Sequence, residues 1–238
     1  MIKHPDDSAG SSAMSRFFRD RGFALAIVIG VMVIISLLQG GLSYSVLLGP
    51  LRDRFVASYF PALHWSVRGG LLVLAGILWT LRRKRAVFRV IIVANVLATL
   101  ILLYDVAFLL SVLNGSTSRA AIALLSDVSL IAASNILIFS IWYWIIDPPG
   151  VIEGEDEDQP WAFLFPQRGG LVPRYESWAP KYADYLFIAF TTSFAFSPTD
   201  ALPLTRSAKM LMMTQAVISV VTLTGIAGAA INILAGKS

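Results

Sequence analysis

The sequence predicts an all-α integral membrane protein: five transmembrane helices plus a shorter sixth apolar segment that either spans or turns back. Three observations point there. Of 238 residues, 56% are hydrophobic and only 14% charged, values outside the range of a water-soluble domain. Mean hydropathy is +0.71. Apolar stretches of spanning length recur along the chain, and basic residues gather at their edges.

The polar N-terminal tail, residues 1–21, is rich in Ser, Ala and Gly between Asp6 and Ser15 and reads as disordered. The apolar run from Phe23 to Leu48 is too long for a signal-peptide core and lacks a small-residue cleavage site, so it reads as an uncleaved first span. Gln39-Gly40-Gly41 interrupts it, and the helix is expected to loosen there. Leu63 to Leu81, Val87 to Leu113 and Ala120 to Ile146 complete a four-helix membrane region, residues 22–146.

The link between the second and third spans carries Arg82, Arg83, Lys84, Arg85 and Arg89 and no acid, which assigns it to the cytoplasm. The N-terminus, with Lys3, Arg16, Arg19 and Arg21, is then also cytoplasmic, and Asn114 to Arg119 lies outside. Trp142, Tyr143 and Trp144, just before Asp147-Pro148-Pro149, suit an interfacial aromatic belt. Residues 147–181 form a charged loop with an acidic run from Glu153 to Asp158. Within it, Trp161 to Pro166 and Trp178 either lie on the membrane surface or pack as a loop.

The last region, residues 182–238, begins with the apolar segment Tyr182 to Pro198. As a helix it would measure about 25 Å, just short of a hydrocarbon core of roughly 30 Å. A polar turn and a last span, Met210 to Leu234, follow.

Ionisable residues inside the spans are few. Asp105 and Asp127 lie at equal distances from the link between the third and fourth spans, so a hairpin places them at one depth, about 13 Å from that link. Arg68 falls at a similar depth, which makes Arg68, Asp105 and Asp127 a candidate buried charge cluster. It reads either as a static ion pair that fixes packing or as a cation or proton site. Asn95, Asn135, Gln215 and Asn232 are expected to hydrogen-bond between helices. Thr224, Gly225, Gly228 and Ala229 permit close approach of another helix, from within the chain or from a second copy.

The composition also excludes. The chain has no cysteine and two histidines, His4 and His64, and it lacks the HExxH, GxSxG and phosphate-loop patterns, so no enzyme, metal site or cofactor is expected. No basic stripe interleaved with aromatics suggests nucleic acid. The expected partners are the lipid bilayer and inorganic ions.

Tyr185 to Thr192 reads as a short apolar helix; the polar turn Ser197-Pro198-Thr199-Asp200 follows, then a long apolar helix from about Thr205. With Asp200, Pro203, Thr205, Ala208 and Lys209 in that order, the segment from Tyr182 to Leu234 resembles the pore helix, filter and inner helix of the potassium-channel superfamily. The filter glycines are missing: Phe194 and Phe196, or Ser197 and Thr199, stand in their places, so potassium selectivity does not carry over. The resemblance implies a homo-oligomer, a tetramer, with a candidate ion path along Thr191, Thr192, Ser193, Ser197 and Asp200. Phe194 and Phe196 would form an apolar constriction or pack in the core. The whole chain, including Trp142 to Trp144 and Ala195 to Asp200, is similar to uncharacterised bacterial multi-pass membrane proteins, which implies a bacterial inner membrane. The functional expectation is a channel-like protein without a potassium filter; the alternative is a non-conducting membrane scaffold.

Overall fold

The structure is a computed structural model describing residues 23–42, 54–112, 118–147, 161–169, 178–195 and 201–236, with the backbone alone for 54–64, 112, 118–121 and 168–169. The helices in chain order are α1 (Phe23–Gly40), α2 (Arg54–Thr80), α3 (Lys84–Val112), α4 (Ser118–Ile146), α5 (Tyr182–Ala195), α6 (Arg206–Ser219) and α7 (Ala227–Leu234). A π-helical stretch, Val220–Ile226, joins α6 to α7. Among the described residues, four stretches are long and apolar enough to cross a membrane: Phe23–Gly40, Lys84–Ser111, Ile122–Ile146 and Arg206–Leu234. The apolar part of α2 among residues with described side chains, Trp65–Thr80, is shorter.

Helix α1 stops at the glycine pair, earlier than the apolar run alone suggests. Gly41 N–H closes the last turn on the carbonyls of Leu37 and Leu38. Gly40 is needed for contact: a Cβ there would lie 2.0 Å from the Trp65 ring of α2. Helices α3 and α4 form the expected antiparallel hairpin, with Phe88 edge-on to Trp144 at 6.0 Å and Asn95 Nδ2 donating to the Ile138 carbonyl at 3.2 Å.

Helix α4 is central and touches α1, α3, α5, α6, the π stretch and α7, while α2 packs on α1 and α3 at the edge. The core follows from this arrangement. Leu124, Ile131, Ile138, Phe139 and Ile141 of α4 are fully enclosed, as are Val28 of α1, Leu102 of α3 and Ala189 of α5.

Beyond α4, Phe163–Leu164 forms a two-residue strand, β1, antiparallel to β2, Leu202–Pro203, with Phe163 opposite Pro203. Leu204 N–H adds a bond to the Ala162 carbonyl at 2.9 Å. This ribbon determines the path of α5. Tyr185, in its first turn, reaches Asp147 at the end of α4, and the chain is back at that same end by Leu202, because β1 is itself bonded to Asp147. The segment from Tyr182 to Pro203 therefore starts and finishes at one end of the bundle. At 14 residues, α5 measures about 21 Å, too short to cross.

Candidate functional site

Where α5 meets α4 and α6, a chain of neutral polar side chains runs through the apolar core. Gln215 is its hub. Its Nε2 donates to the Ala189 carbonyl and to Ser193 Oγ, both at 2.8 Å, and its Oε1 accepts from the Tyr143 hydroxyl. Asn135 Nδ2 donates to Ser219 Oγ at 2.9 Å and to the Gln215 carbonyl at 3.4 Å. Ser140 and Tyr182 join hydroxyls at 2.6 Å. Gln215, Tyr143 and Ser140 are fully buried, and Asn135 is 1% exposed. An amide in an apolar interior costs free energy unless bonded, so these bonds hold the helices in register.

At the end of α4, Asp147 fixes the base of the same assembly. Its Oδ1 accepts from the backbone N–H groups of Ala162 at 2.8 Å and Phe163 at 3.1 Å, and its Oδ2 from the Tyr185 hydroxyl at 2.7 Å. One buried carboxylate thus ties together α4, the β1–β2 ribbon and α5. Around it, Tyr143 and Phe163 pack edge-on at 5.2 Å, and Phe165 meets Trp178 at 5.4 Å and Tyr185 at 5.8 Å. Trp161–Pro166 and Trp178 therefore pack as a loop rather than lie as a surface helix.

In the aromatic triplet of α4, Tyr143 departs from the expected role. Tyr143 is wholly enclosed; Trp142 donates through Nε1 to Thr99 Oγ1 at 2.9 Å, and Trp144 packs on Phe88. Tyr143 is therefore a core residue, while Trp142 and Trp144 join helices and stay partly exposed.

The candidate path residues separate. Thr192 and Ser193 are each 2% exposed, turned toward α4 and α6. Thr191 is half-buried, and its hydroxyl bonds back to the Phe187 and Ile188 carbonyls at 3.0 Å. Phe194, 51% exposed, leaves the core and packs with Phe190 at 4.8 Å. Phe196, Ser197 and Asp200 lie outside the described residues. In the resembling motif, Pro203 belongs to β2 and Thr205 caps α6 by accepting from Ala208 N–H at 3.2 Å. Part of that pattern is therefore helix-start chemistry.

The charged residues are buried as expected: Arg68 is 6% exposed, Asp105 and Asp127 fully enclosed. The register set by Asn95 and Ile138 carries the two aspartates to one level, ten residues onward in α3 and eleven back in α4. Arg68 donates to Gln39 Oε1, and Gln39 in turn donates to the Ala98 carbonyl at 3.1 Å, joining α1, α2 and α3. Beside it lies a cavity of about 20 Å³ bordered by Ser36, Arg68, Ala94 and Ala98, enough for about one water. Sequence reasoning missed Gln39, Asp147 and Tyr185; the Gly40-Gly41 pair and the Pro148-Pro149 pair were the available signals that a helix ends beside them.

Asn232 is exposed, unlike the other intramembrane amides. A Cβ at Gly225 or Gly228 would meet no described atom within 4 Å, so these small residues do not serve packing among the described helices. No group of three His, Cys, Asp or Glu side chains suited to a metal occurs among the described residues. Compared with protein-family models, curated proteins and solved structures, the chain matches none.

Proposed function

We propose that this chain is a channel-like protein of a bacterial inner membrane, without a potassium filter, in which α5 is a re-entrant helix. In this reading α1, α2, α3, α4 and the α6–α7 helix are five spans, and the N-terminus and the basic α2–α3 turn are cytoplasmic. The single observation that supports it is the return of Tyr182–Pro203 to one end of α4.

The bilayer adds a physical reason for an assembly. Helix α5 ends level with Gln215, well inside the last span, and its final carbonyls lack partners within the helix. A helix end at that depth needs protein or water around it, not lipid. Homo-oligomerisation around a polar lumen meets this need, with Thr191 beside the lumen and Phe194 as its apolar narrowing. Inorganic ions are the proposed cargo.

The test is purified protein in liposomes, assayed for sodium, potassium, chloride and proton flux, with crosslinking for the oligomeric state. Flux by an oligomer that changes on Phe194→Ala supports the reading. A monomer that passes none of these ions rejects it. A non-conducting scaffold is favoured instead by one observation, the engagement of Ser193 in a bond to Gln215 of the same chain. Absence of flux together with a stable captured partner would support that alternative.

A further inference from the structure

We infer that the turn between α2 and α3 is a headgroup site for an anionic phospholipid, centred on Arg82. This rests on the chain's residence in a membrane and is independent of conduction. The turn is closed by two bonds: Arg83 N–H to the Leu78 carbonyl and Arg82 N–H to the Trp79 carbonyl, each 3.0 Å. That pair ends a helix when the residue just past it is left-handed, a position usually filled by glycine. Here it is Arg82, with φ 58°, the one non-glycine positive φ among the described residues. A side chain in this conformation crowds the neighbouring carbonyl, so folding alone favours glycine.

What the arginine supplies is charge at a fixed point. Arg82, Arg83, Arg85 and Arg89 are all exposed, Lys84 is half-buried, and no acid interrupts the run. Arg85 and Arg89 lie one helical turn apart on one face of α3. A planar guanidinium offers paired donors to two oxygens of one phosphate. An acidic protein segment would also answer this charge, but the surrounding rings favour lipid. Trp79 is 36% exposed one turn before Arg82, and Trp144 packs on Phe88 just beyond. Indole rings settle at the level of the headgroups, where an anionic phosphate would meet the arginines.

The experiment uses the full chain in neutral detergent micelles, titrated with phosphatidylglycerol, phosphatidylcholine or inorganic phosphate and read by native mass spectrometry and thermal unfolding. Arg82→Gly removes both charge and strain; Arg82→Gln removes charge alone. Both variants are expected to weaken phosphatidylglycerol retention about fivefold, one basic residue's share at an anionic surface. Phosphatidylcholine retention should not change, and Arg82→Gly should melt at or above the temperature of the parent. Unchanged phosphatidylglycerol retention in either variant overturns the proposal, including when acidic peptides are captured instead. Equal displacement by inorganic phosphate at matched concentration overturns the assignment to lipid.

Discussion

Toward α5 and α6, helix α4 offers neutral groups, Asn135, Ser140 and Tyr143, and these are met by an amide and hydroxyls from the facing helices. The region built by α1, α2 and α3 instead buries the charge of Arg68, steadied by Gln39, next to a cavity of about 20 Å³. The difference is one of directional fit. Amides and hydroxyls satisfy one another at single contacts and hold a short helix that cannot span. A guanidinium carries five donors, needs a larger polar surround, and packs with a small void beside it. At the base of the first region one buried carboxylate, Asp147, sets the geometry through three directed bonds.

The largest expected effect breaks that region at its base. Asp147→Ala removes three bonds to a carboxylate and leaves two buried N–H groups; we expect a loss of about 3 kcal/mol in micelle unfolding. Hydrogen exchange should rise in α5 and at the Leu202 and Leu204 amides together, with α1 to α3 unchanged. A rise confined to β1 would show that α5 is held by the Gln215 network alone.

Gln215→Leu sharpens the comparison from inside the bundle. It takes away three interhelical bonds, and the expected cost is about 2 kcal/mol. Because the chain has no cysteine, a single Thr191→Cys substitution reports accessibility without background, and its labelling rate should increase when Gln215 is replaced.

In the other region the corresponding break is steric. Gly40→Ala drives a methyl into the Trp65 ring, for an expected loss of about 1.5 kcal/mol. The smallest effect belongs to Gly228→Ala, where no described atom lies within 4 Å; a gain of up to about 1 kcal/mol from helix propensity is expected in the isolated chain. A fall in crosslinked oligomer with that same substitution would assign the open face to a second copy.

Much of the fold was legible in the sequence because it depends on local composition. The extents of α3 and α4 follow from apolar length, the end of α1 from Gly40-Gly41, and the level shared by Asp105 and Asp127 from counting residues back to their link. The interhelical roles of Asn95, Asn135 and Gln215 follow from the cost of an amide in apolar surroundings. The candidate path was less legible. Thr192 and Ser193 read as polar lining until α4 and α6 close over them, and Tyr143 read as a belt residue until Gln215 proved to be its partner.

The sequence by itself determined where the long helices run and that they are apolar enough to cross a bilayer, since hydropathy and breakers act over a few residues. Only the tertiary structure decided that β2 lies at the same end of the bundle as the start of α5. That outcome depends on Phe163 pairing with Pro203 and on Asp147 holding both β1 and Tyr185, contacts between residues far apart in the chain. An apolar segment records how much membrane it can occupy. The direction in which the chain leaves it is set by bonds made elsewhere.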